Sequence, residues 1–209
     1  MEINISDLDL SSKYKLLTGL IFPRPIGLVS TISENGVNNC APFSWFNAIC
    51  EDPPLIYLSF NTRTDGRIKH TLENILRTKE FIVNLVDESI ANGMHLSSHE
   101  YPIDVSEFDE CGFTSEPGLT VKHPRIKEAP ASLECRLFKR VALGPAREFL
   151  IGEVIHLHVR DNLVAKDTYH VSETEFWPVG RLHGTKYCST RERFDLPQKE
   201  SKLKTRTRG

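Results

Sequence analysis

A mainly β fold with a barrel-like core of antiparallel strands is what this 209-residue chain predicts. Three observations lead there. Apolar runs of strand length recur at 26–32, 54–60, 80–86, 131–143 and 148–159. Apolar residues at helical spacing are few, the clearest set being Ile68, Leu72, Ile75 and Leu76. The strand runs are joined by hairpin-type punctuation, Asn35-Gly36 and Gly144-Pro145, and not by the regular strand–helix alternation of a doubly wound sheet.

In chain order, residues 1–12 are polar and read as an irregular lead-in, and Lys13 to Gly19 as a short helix or turn. Pro23-Arg24-Pro25 blocks helix and introduces the β-branched strand 26–32, to which Val37–Ala41 returns antiparallel. The segment from Ala41 to Ala48 mixes Phe43, Trp45 and Phe46 with Ser44 and Asn47. Its rings either pack in the core or, with Pro42 and the polar residues, form the wall and edge of a site for a flat ligand. Glu51 to Pro54 turns the chain into the strand 54–60.

That strand ends in a polar stretch, Ser59–Thr71, which leads into a helix expected from Gly66 to about Arg77. The turn carries Ser59, Asn61, Thr62, Arg63, Thr64, Arg67, Lys69 and Thr71, where a helix N-terminus leaves backbone N–H groups unpaired and positively polarised. Arg and Lys add charge-assisted hydrogen bonds there, so one reading is a phosphate cradle. The other is a polar loop whose Thr and Asp side chains only cap the helix.

The strand 80–86 carries Asn84 in an apolar run; that side chain either satisfies nearby backbone or reaches a ligand. Glu88 to about Ser98 is weakly helical, and His95 and His99 share a face without the further ligands a zinc site needs. Residues 101–130 are rich in Pro, Gly and acids and read as a long, loose surface excursion with a short helix at Ser106–Cys111. The runs 131–143 and 148–159 form a second antiparallel pair, with His156 and His158 on one face of it. Residues 1–190 are expected to be a single domain, and 191–209 a basic, disordered tail.

Composition sets the wider bounds. A net charge of −2 gives no reason to expect nucleic acid or an anionic membrane as partner. No apolar run approaches the ~20 residues of a membrane-spanning helix, and the acidic N-terminus lacks the basic-then-apolar order of a signal peptide. Cys40, Cys50, Cys111, Cys135 and Cys188 are scattered and odd in number, which fits free thiols in a reducing, cytoplasmic setting. Dinucleotide, P-loop, nucleophile-elbow and strong zinc motifs are absent from the sequence. An anion cradle and an aromatic, amide-bearing segment, with no acid–base constellation, fit a bound cofactor that carries the chemistry.

The residues then show a family likeness. Arg24–Thr31, Asn39–Asn47, Pro53–Ser59, Gly66–Thr71 with Asn74 and Ile75, Glu80–Leu85, Ile151–Val154 and Pro178–Gly184 occur in family order. Over about Phe22 to Tyr187 the chain resembles the flavin reductase-like, FMN-binding split-barrel family. The resemblance implies a six-stranded antiparallel split β-barrel with a few flanking helices, homodimeric, with FMN near the dimer interface. It assigns Ser59, Arg63, Lys69 and Thr71 to the ribityl phosphate. Ser30 and Thr31, with Ala41, Pro42, Phe43, Ser44 and Asn47, would line the ribityl and isoalloxazine. Asn84 is a further candidate, and Arg181 and His183 would lie near the site, from this subunit or its partner. Two residues depart from the family pattern: His70 stands where Asp is common, and His183 where Gly is usual.

The implied activity is hydride transfer from NADH or NADPH to flavin, with no catalytic side chain required. Electrons would pass to a further acceptor, such as a partner oxygenase. The alternative is a non-catalytic FMN-bound electron carrier or flavin storage protein.

Overall fold

A computed structural model describes residues 1–63, 65–144 and 147–197. In chain order the strands are β1 (Gly27–Ile32), β2 (Asn38–Phe43), β3 (Phe46–Glu51), β4 (Pro54–Asn61), β5 (Glu80–Leu85), β6 (Ser115–Pro117), β7 (Pro124–Ile126), β8 (Ala131–Gly144), β9 (Arg147–Val159), β10 (Val179–Arg181) and β11 (Tyr187–Ser189). The α-helices are α1 (Leu10–Leu20), α2 (His70–Thr78), α3 (Ala91–Leu96) and α4 (Glu107–Glu110). Among the described residues, no helix is long and apolar enough to cross a membrane.

The main sheet runs β2-β1-β5-β8-β9-β4-β3, antiparallel at every pairing. It has seven strands where six were expected. The unforeseen strand is β3, an edge strand bonded only to β4, with Asn47, Ala48 and Ile49 exposed. Solvent on its outer positions removes the apolar alternation by which a strand is recognised. Its neighbour in sequence, β2, forms the opposite edge, and only Ser44 and Trp45 join the two. A link that short draws both edges to one seam, so the sheet must curl. The Ser59 amide donates to the Trp45 carbonyl (2.9 Å) across this corner, and Phe43 packs on Phe60 with ring centroids 4.4 Å apart.

Alternation along β1 divides the core. Val29 joins Phe43, Phe60, Leu72, Ile75, Phe81 and Leu150, while Leu28 joins Ile90, Met94, Phe108, Phe113 and Ile126. The second group corrects the expectation for 101–130. That segment is no loose excursion: Phe108, Phe113, Val121, His123 and Ile126 are buried, and β6 pairs with β7. Its apolar residues are too widely spaced by Pro and Gly to form a periodic signal, yet each finds the core.

Glu134 of β8 fastens this segment to the sheet. Its buried carboxylate accepts from the amides of Leu119 (2.6 Å), Thr120 (2.6 Å) and Val121 (3.0 Å), and from His158 (2.5 Å). Burial works to raise its pKa, but the bonds from Thr120, His158 and the loop amides together hold it down at about 2.

Three other boundaries differ from expectation. Helix α1 is longer than predicted because Asp9 caps it, accepting from the Ser12 amide at 2.7 Å. Helix α2 starts at His70 and not at Gly66, because Gly66 takes a left-handed turn (φ +82°) closed by its amide on the Arg63 carbonyl at 3.0 Å. The first residues of the basic tail dock on the domain: Arg191 pairs with Glu88 (2.6 Å) and stacks over Trp177 at 4.1 Å. Residues 198–209, the rest of the tail expected to be disordered, lie outside the described residues. All five cysteines are free thiols.

Candidate functional site

The turn between β4 and α2 is shaped by its own backbone. The Arg63 amide donates to the Arg67 carbonyl at 2.7 Å, while Asp65 accepts from the Arg67 guanidinium and amide. This loop turns Arg67 outward, 80% exposed, and Arg63 inward, 16% exposed. Lys69 is the N-cap residue of α2 and makes no side-chain capping bond. Its ammonium has no carboxylate within ion-pair distance among the described residues, and burial lowers its pKa. Arg63 reaches Glu100 and Asp65 only at 3.9 Å each.

These residues line a cleft of ≈ 70 Å³ with Ala41 and Pro42 of β2 on one side and the segment 97–101 on the other. Arg63 donates to the ring of His70 (Nη1 to Nε2, 3.1 Å). Burial first, then the Arg63 charge, lowers the His70 pKa, so the ring is neutral near pH 7 and accepts that bond. The cationic character of the cleft therefore comes from Arg63, Lys69 and the N-terminus of α2.

Beneath the cleft lies a polar chain. Asn74 donates to Thr31 (3.0 Å), Thr31 and Thr71 donate to Asn39 Oδ1 (3.1 and 2.8 Å), and Asn39 donates to Glu107 Oε1 at 2.8 Å. Glu107 is 6% exposed. Its Oε2 has no hydrogen-bond partner among the described residues, and Arg63 Nε lacks one too. Burial pushes the Glu107 pKa up to about 7, against the opposing pull of the Asn39 bond and Arg63.

A second cleft of ≈ 140 Å³ adjoins the first, sharing Pro42 and Ser98 with it. It is lined by Ser44, Arg24 and Arg181, with Tyr14 and Tyr187. Arg24 is held by the carbonyls of Thr18, Ile21 and Leu182 at 2.8–2.9 Å. Arg181 lies over the Tyr187 ring at 4.5 Å, and Tyr187 meets His95 at 3.1 Å. The two clefts make one groove, cationic at both ends and walled by β2 between them.

The residues singled out from sequence fall into three groups. Ala41, Pro42, Arg63, Lys69 and Thr71 gather in the first cleft, and Ser44 and Arg181 in the second. Thr31 lies in the polar chain below, and Ser59 and Phe43 are buried behind the wall. The remaining four lie apart. Asn84 spends its amide on Leu28, Ser30, Ile126 and Ser132, and Ser30 also donates to Pro124 (2.6 Å), so this pair ties β1 and β5 to β7 and β8. Asn47 is exposed and accepts from the Ala48 amide; His183 is exposed and lines neither cleft. Asn39, Ser97–Tyr101 and Glu107 were not singled out. Asn39 opens the stretch that carries the family likeness, but nothing local marks Glu107 as a cleft residue.

The comparisons with known proteins are specific. Residues 19–176 match the family described as flavin reductase like domain, and the chain belongs to it. It is 41% identical to an uncharacterized protein of Aquifex aeolicus over 187 residues, 90% of this chain and 94% of that one. Its fold matches 2-nitrobenzoate 2-nitroreductase NbaA of Pseudomonas fluorescens with a TM-score of 0.88 and 36% identity, covering 96% of this chain and 97% of the other. Nitrilotriacetate monooxygenase component B of Bacillus cereus matches with a TM-score of 0.88 and 33% identity, over 94% and 98%.

Proposed function

We propose that this protein is an FMN-dependent oxidoreductase that accepts hydride from NADH or NADPH and hands the electrons to a further acceptor. The observation that carries the reading is that Lys69 and Arg63 line one cleft where the β4–α2 turn enters α2. Among the described residues Lys69 makes no ion pair, and Glu100 acts on it only at longer range. Such a cleft fits a phosphate, which gains charge-assisted bonds there and the favourable end of the helix dipole. Lys69, Arg63 and the first amides of α2 would hold the FMN phosphate, with Thr71 beside them. Ala41, Pro42 and Ser44 would wall the ribityl and ring, and Arg181 would lie toward the far end of the groove.

Bound flavin supplies the hydride-accepting chemistry. This chain's residues bind and orient it, and the rigid β2 wall limits the faces from which a second ring can approach. A groove of this size, open on one side, would be completed by a second copy of the chain, so a homodimer of curled split barrels belongs to the proposal. A partner oxygenase is a fitting acceptor, given the relative named as a monooxygenase component. The five free thiols fit the reducing, cytoplasmic setting of this reading.

The test is the visible spectrum of the protein after loading with FMN and gel filtration, followed by anaerobic NADH or NADPH. A retained flavin band that bleaches with nicotinamide is expected. A band that bleaches only with dithionite would replace this reading with an FMN-bound carrier. With no retained band, steady NAD(P)H consumption in excess FMN would make flavin a substrate, and no consumption would overturn the reading.

A further inference from the structure

Glu107 is an unexpected neighbour for an anion. A carboxylic group lies against the same cleft as Arg63 and Lys69, nine-tenths buried, with one oxygen bonded to Asn39 and the other without a hydrogen-bond partner among the described residues. Buried polar atoms are nearly always paired, so a buried orphan oxygen on a residue that lines the cleft marks a missing partner. The groups packed around it fix its protonation. From β2 come the Asn39 amide, the Cys40 backbone N–H and the Cys40 thiol; from α4 and its end, Glu110 and Cys111. Tyr101 comes from the 97–106 segment, Arg63 from the β4–α2 turn, and the neutral His70 from α2. Arg63 is the cation that acts on Glu107 and is shared with Glu100 and Asp65, while Lys69 lines the same cleft. Burial therefore dominates and favours the neutral acid.

A dianion placed in the cleft strengthens that preference, because two like charges at close range cannot both stay ionised. The neutral acid also has what the ionised one lacks, an O–H donor. We propose that Glu107 is a ligand-binding residue that works in its protonated form, donating from Oε2 toward the bound phosphate group and coupling uptake of one proton to binding. The proton comes from solvent and resides on Glu107 while the ligand is bound. This inference rests on the phosphate-cradle reading of the cleft.

The test is FMN affinity, followed by flavin fluorescence from about pH 6 to about pH 9, for the protein and for Glu107→Gln, which keeps a donor but cannot ionise. Above the Glu107 pKa the unsubstituted protein should lose affinity roughly tenfold per pH unit, a slope absent from Glu107→Gln. Lys69 and the cysteines are common to both proteins and cancel in the comparison. Calorimetry of the unsubstituted protein in two buffers of different ionisation enthalpy gives a second reading that needs no variant. Near pH 8 the FMN phosphate is already doubly ionised, its second pKa being about 6, so close to one proton should be taken up per FMN. Parallel pH profiles, or uptake near zero, would overturn the role of Glu107 and leave the cradle intact. FMN binding by neither protein at any pH would overturn the cradle, and this inference with it.

Discussion

Replacing Lys69 with Ala separates a phosphate cradle from a polar turn that merely starts a helix. The ammonium makes no capping bond and no ion pair among the described residues, and burial already lowers its pKa. The substitution should therefore leave folding stability within about 0.5 kcal/mol, as for side chains free of special contacts. Its effect should fall on the ligand. A hydrogen bond to a charged group is worth about 1.5–3 kcal/mol, which corresponds to FMN binding roughly 10- to 150-fold more weakly. Riboflavin, which has the same ring and ribityl chain without the phosphate, should bind both proteins within about twofold. Fluorescence titration with the two flavins measures this directly. If Lys69→Ala binds FMN as tightly as the parent, or loses FMN and riboflavin affinity equally, the phosphate does not sit at Lys69.

Three expectations concern the scaffold. Glu134 has its pKa held at about 2, below the ordinary 4.5, so its contribution is complete above about pH 5 and is lost as pH falls from 4.5 toward 2. In urea denaturation, Glu134→Gln should cost on the order of 3 kcal/mol near neutrality and flatten the acid limb of the stability profile; an unchanged acid limb would refute the assignment. Asn84→Ala strands the Ile126 amide and the Ser132 hydroxyl in the core, and should lower stability by about 3 kcal/mol while FMN affinity holds, since Asn84 lies outside both clefts. Gly152→Ala would drive a methyl group into the Phe81 ring, at an overpacking cost of about 1–3 kcal/mol seen as a lower urea midpoint.

Local pattern carried much of the fold. Strands β1, β4, β5, β8 and β9 were legible because each holds a run of apolar or β-branched residues long enough to cross the sheet. Strand β3 was not, because an edge strand partly in solvent has no need of alternation. The Arg63, Lys69 and Thr71 cluster could be read from the strand–turn–helix order, and the structure brings it beside Ala41 and Pro42. The far wall could not. Ser97 to Glu107 belongs to a stretch whose Pro, Gly and acidic residues resemble a surface loop, and only tertiary packing of Phe108 and Phe113 brings it back over β2. Asn84 had two open readings, and four protein hydrogen bonds account for its whole amide.

The order of strands in the sheet also sets a schedule for synthesis. Strand β4, which aims the Arg63–Lys69 turn, is bonded in the sheet only to β3 and β9. The β3–β4 hairpin can form as soon as it leaves the ribosome, but β9 ends at Val159. Until then the two halves of the groove, β2 on one edge and the turn after β4 on the other, lack the central strands that hold them in register. A nascent chain released early would carry every cleft residue up to Glu107 and still present no cleft. Ligand capture during translation would thus report that the sheet is complete, long after the first-cleft residues from Ala41 to Thr71 have been made.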